Sequence, residues 1–105
     1  MPKLNCPVEG YEDFVIEFPA YPDELKVKHQ RMFARAAQHL MDEEGDDALI
    51  QDVRFVGSKA ICSVWEEPES LRNLDLEDWP MAVFQWVLNV VYFANYDKAA
   101  NPEKN

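Results

Sequence analysis

Leu49-Ile50-Gln51-Asp52-Val53-Arg54-Phe55-Val56-Gly57-Ser58-Lys59-Ala60-Ile61-Cys62-Ser63-Val64-Trp65 is the stretch on which the fold turns. Two apolar, β-branched runs flank Gly57-Ser58, and glycine at the first central position suits a two-residue type II′ turn. The reading is a hairpin, with strands over Leu49–Val56 and Lys59–Trp65. Val53, Phe55, Ala60, Cys62 and Val64 would then share one face. A short helix from Asp46 to Asp52 is the competing reading of the first run, so residues 46–56 stand open between strand and helix.

Upstream, Glu12 to Phe18 alternates, with Phe14, Ile16 and Phe18 on one side and Asp13, Val15 and Glu17 on the other. That is the period of a half-buried strand, ended by Pro19. Pro22-Asp23-Glu24 opens an amphipathic helix, since proline and acids both suit a first turn. Tyr21, Leu25, Met32, Phe33, Ala36 and Leu40 form its apolar stripe, with Lys28, Arg31 and Arg35 opposite. The helix should stop near Gly45.

Downstream, Glu66 to Asp75 is a polar connector containing Pro68. Asp75 or Asp78 can cap a last helix from about Trp79 to Tyr96, with Pro80 in its first turn. The expected fold is α+β: a small antiparallel sheet of about three strands against two main helices, in the order β-α-β-β-α. One domain spans 1–105, with termini fraying over about 1–7 and 98–105.

The last helix is unusually apolar, its only amides or charges being Gln85, Asn89 and Asn95. Asp78, Gln85, Asn89, Tyr92 and Tyr96 make one narrow polar strip. Trp79, Trp86, Val90 and Phe93 cover one flank, and Phe84, Val87, Leu88 and Val91 cover the other. A helix apolar nearly all round is a core helix, a membrane span or an interface helix. The span reading fails on length, on the amides and on the lack of a following basic cluster. One other long helix and three strands cannot easily cover both flanks, so a purely core helix and a core helix that also makes an interface both stand; on the second reading Trp79, Phe84, Trp86, Leu88, Val91 and Phe93 are the candidate protein-binding residues. Phe84 or Trp86 is expected in a homo- or hetero-oligomeric contact.

The charge is −10, from 20 acidic against 10 basic side chains, which repels phosphate backbones and disfavours nucleic acid as a partner. Cys6 and Cys62 are the only thiols, 56 positions apart and with no C-x-x-C, which fits neither a disulfide framework nor a zinc site, and no secretion signal is visible, so a cytoplasmic setting is expected. His29 and His39 stand badly for a shared metal; His29 is read as a satisfied, partly buried histidine and His39 as part of an i, i+3, i+4 cluster with Asp42 and Glu43. The Asp42–Asp47 acids lack the calcium-loop spacing. Lys28, Arg31 and Arg35 are read as a solvated ridge. No nucleophile-elbow, P-loop or dinucleotide glycine pattern occurs. No enzyme activity, metal or cofactor is expected.

The strand around Phe14-Val15-Ile16-Glu17-Phe18, the long helix, the later Trp65-Glu66-Glu67-Pro68 and the lead Leu74-Asp75-Leu76-Glu77-Asp78-Trp79-Pro80 into a Trp86-bearing helix form a familiar layout. It resembles the small, acidic tail-assembly chaperones of long-tailed bacteriophages and prophages. The resemblance implies no catalytic residue. It implies a partner, the long tape-measure chain whose apolar helices such a chaperone coats, and a place in the host cytoplasm. The competing readings are an acidic nucleic-acid-mimicking inhibitor, to which Glu66, Glu67 and Glu69 would contribute, and a structural virion subunit.

Overall fold

The computed structural model describes residues 1–101. Three short strands form one antiparallel sheet in the order β1 (Lys3–Asn5), β2 (Val15–Glu17), β3 (Val64–Glu66). Leu4 and Trp65 stand on either side of Ile16 across it. The alternation read from sequence holds: Phe14, Ile16 and Phe18 are all buried. The α+β class and the three-stranded antiparallel sheet against helices are as expected. The segment 1–7, expected to fray, instead supplies β1, and Cys6 donates its N–H to the Phe14 carbonyl at 2.9 Å. Of the stretch 98–105, the residues to 100 belong to a helix, and those beyond 101 lie outside the described residues.

Helix α1 (Val27–Glu44) stops at Gly45, as expected, where φ is +59° and the glycine N–H returns to the Met41 carbonyl. It starts five residues after Pro22, and the segment before it is tied back to the rod and to itself. Asn95 takes the Tyr21 N–H and gives its own amide to the Pro19 carbonyl, while the Glu24 carboxylate accepts the Ala20 N–H. The helix is closed instead by His29, whose Nδ1 accepts the Lys26 N–H at 3.0 Å. That is the return half of a capping box, made by an imidazole. His29 is thereby satisfied and half-buried, as read from sequence.

The hairpin expected over 49–65 is not formed. Residues 50–61 are helix α2 (Ile50–Ile61), and only Val64–Glu66 of the second run is strand. Gly57 has no positive φ and marks no turn. It lies where α2 crosses α1, so close that a Cβ on it would stand 2.5 Å from Cζ of Phe33. Gly57 and Ser58 are small because two helices press together there, and tertiary packing overrides the β-propensity of Val53, Phe55 and Val56. The helical alternative for the first run holds in kind but not in extent: Gly45–Asp47 is a single 3-10 turn joining α1 to α2, and the helix begins only at Ile50.

After α3 (Glu69–Arg72) and a 3-10 turn at Leu76–Asp78, Pro80 caps a helix whose N–H donors from Val83 and Phe84 reach its carbonyl. This is α4 (Met81–Val87), which continues without a break through π-helical turns over Leu88–Tyr96 into α5 (Asp97–Ala100). The result is one C-terminal rod, a little longer than the sequence suggested. No helix among the described residues is long and apolar enough to cross a membrane.

Candidate protein-binding surface

The rod is covered more completely than its sequence suggested. Val83, Val87, Leu88 and Val91 are fully buried. Phe14 packs near-perpendicular to Trp65, Trp79 and Trp86 at centroid distances of 5.1, 5.9 and 5.7 Å. Phe55, supplied by α2, stacks on Phe84 at 5.0 Å and 11° and takes Trp65 and Trp79 edge-on. Such pairs contribute about 0.5–1.5 kcal/mol each beyond their buried area. The cover judged missing from sequence is therefore α2 itself.

The six candidate contact residues separate accordingly. Leu88 and Val91, at 0% exposure, are interior and present nothing to a partner. Trp79, Phe84 and Trp86 are half-buried, the tryptophans packed near-perpendicular to Phe14 or Phe55 and Phe84 stacked on Phe55. The fold brings these five together as core. Phe93 alone is substantially open, at 36%.

Phe93 borders a patch that sequence reading missed. The buried side of α2 runs Ile61, Ser58, Gly57, and the same i, i+4, i+7 row continues through Arg54 to Ile50. Cover gives out before the row ends. Ile50 is 61% exposed and its neighbour Leu49 64%. Between this open end and the rod, the Arg54 guanidinium lies 4.9 Å from the Tyr92 ring centre and 5.4 Å from that of Phe93. Arg54 makes one long side-chain hydrogen bond, Nη1 to Oε1 of Gln51 at 3.4 Å, and its Nε is buried with no acceptor. Ile50, Arg54 and Phe93 thus present apolar surface around a cation that no carboxylate of the described residues pairs.

The remaining chemistry is structural or solvated. His39 pairs with Glu43 at 3.0 Å on an exposed turn. Burial raises the Cys62 thiol to about 12 and also raises that of Cys6; Cys62 Sγ donates to the Ser58 carbonyl. Burial, with Lys28 and Lys26 nearby, lowers the His29 pKa below the usual imidazole value, in keeping with its acceptor role. Lys28, Arg31 and Arg35 are exposed along α1. The Asp75, Glu77 and Asp78 carboxylates gather within 4.8 Å of one another on the surface. A groove of about 270 Å³ is walled by Phe55, Leu71, Leu74, Leu76 and Trp79. At its rim Glu67 is engaged by Trp65 Nε1 at 2.7 Å and by Lys59 at 3.7 Å.

A helical reading of 50–61 would have found the patch, since Ile50, Arg54, Gly57 and Ile61 share one row only at helical spacing. The part Arg54 plays had no local signal, because its aromatic platform comes from residues about forty positions away. No family model, curated protein or solved structure matches the chain.

Proposed function

We propose that this chain is a non-enzymatic protein-binding module that shields apolar helical segments of a partner, in the manner of the tail-assembly chaperones it resembles. A tape-measure-like helical chain is the kind of partner intended. The observation that supports this reading is the exposure of Leu49 and Ile50 at the start of α2, one turn before Arg54, whose guanidinium reaches the open Phe93 ring of the rod. Covering three such side chains is worth roughly 1–2 kcal/mol each. Set against the cost of association, that gives a weak, reversible hold per segment. Weak holding suits a protein that must release its client, and the −10 charge keeps a loaded complex soluble.

The test is co-expression with a long amphipathic helical chain that aggregates alone. The module should keep that chain in the soluble fraction, and Ile50→Asp should abolish the effect without lowering the melting temperature by more than a few degrees. Equal protection by wild type and Ile50→Asp would refute the reading.

A further inference from the structure

We infer that the Ile50–Arg54–Phe93 surface takes one particular occupant: an amphipathic helix of a partner protein that carries a single carboxylate among its apolar contact residues. The inference rests on the protein-binding reading and adds what the partner must present. Arginine and aromatic residues are the side chains that most often dominate interfaces. Here the arginine is already held in place, stacked over Tyr92 and Phe93, so little side-chain entropy remains to be lost on pairing. Its donors are nearly idle. The 3.4 Å contact to Gln51 uses one of them weakly, and Nε is shut away from solvent with no acceptor.

Nε lies out of a partner's reach, so the terminal Nη nitrogens are the donors on offer, and a carboxylate is the acceptor that a guanidinium takes most strongly. The apolar side chains that frame Arg54, Ile50 one turn before it and Phe93 from the rod, require apolar neighbours on the incoming helix at i±3 and i±4. Asp46 and Asp47, exposed in the turn just before α2, favour lysine or arginine toward one end of that helix and disfavour further acids. A strongly acidic partner would be repelled by a −10 molecule; one acid, aligned on Arg54, is what this surface accommodates.

Three synthetic twenty-residue helical peptides provide the probe. They share leucine at i, i+3, i+4 and i+7 and terminal lysines, and carry Glu, Gln or Lys at the central position. Fluorescence anisotropy should show the Glu peptide binding wild type about ten- to a hundredfold more tightly than the Gln peptide. Arg54→Gln should erase that preference, and Arg54→Glu should transfer it to the Lys peptide, a rescue that a misfolded variant could not give. Equal affinity of wild type for the Glu and Gln peptides would overturn the inference and leave the protein-binding reading standing. Failure of every peptide to bind at 100-micromolar concentrations would remove both. Sedimentation showing a dimer that Ile50→Asp dissociates would overturn it in favour of a second copy as the occupant.

Discussion

Replacing Gly57 with alanine would set a methyl group 2.5 Å from Cζ of Phe33 and 2.6 Å from each of its ε carbons. Real carbon contacts do not approach so closely, so either the ring or α2 must move. The ring has little room. It is stacked on Tyr96 at 4.1 Å with the planes only 6° apart, and Tyr92 stands 6.0 Å away. Overpacking of this kind costs about 1–3 kcal/mol. Against it stands the gain of alanine over glycine inside a helix, about 1 kcal/mol. The expected balance is a loss of about 1 kcal/mol, within about 0–2, measured by urea denaturation followed by far-ultraviolet circular dichroism. The same substitution in a Phe33→Leu background should change sign, because leucine ends short of the para position and only the helix-propensity gain remains. The two positions should therefore couple by about 2 kcal/mol. If Gly57→Ala stabilises the parent protein, or is equally harmful in both backgrounds, then Gly57 does not mark a helix crossing and the packing argument fails.

Asn95→Ala should cost about 2–3 kcal/mol, since it strands the Tyr21 N–H and the Pro19 carbonyl at once; loss of less than 0.5 kcal/mol in the same denaturation assay would show the clamp to be idle. His29 has its folded-state pKa below the ordinary imidazole value, so its contribution is present above about pH 6.5 and is lost as pH falls through the lowered folded value. Melting temperature should accordingly decline more steeply below pH 6.5 in wild type than in His29→Ala, which lacks the Lys26 N–H acceptor at every pH. Both thiols should resist Ellman's reagent in the native protein and react, two per chain, once it is unfolded in urea; rapid native labelling of Cys6 would contradict its burial.

The legible parts of the fold were those with short-range causes. Phe14, Ile16 and Phe18 alternate because one face of β2 is core, and Gly45 ends α1 because its own backbone takes a positive φ. Residues 50–61 were misread because their reasons lie elsewhere in the chain. Gly57 answers to Phe33 and Phe55 answers to Phe84, and neither pairing leaves a mark in the local pattern. That one misreading had a second consequence. Counting α2 as a hairpin leaves the C-terminal rod an uncovered flank, which is why Leu88 and Val91, both core, stand among the expected contacts. Asn95 was visible as an amide in an apolar helix, but its two bonds reach 74 and 76 positions back, beyond any periodicity argument.

The most direct measurement is nuclear magnetic resonance mapping of the labelled protein as the central-Glu peptide is added. Shifts concentrated at Leu49, Ile50, Gln51, Arg54 and Phe93, with Leu88 and Val91 unmoved, are the expected result. Shifts centred on the Lys28–Arg31–Arg35 ridge or on the Asp75–Asp78 acids, with the start of α2 unaffected, would contradict the central claim that partners are held at the open end of α2.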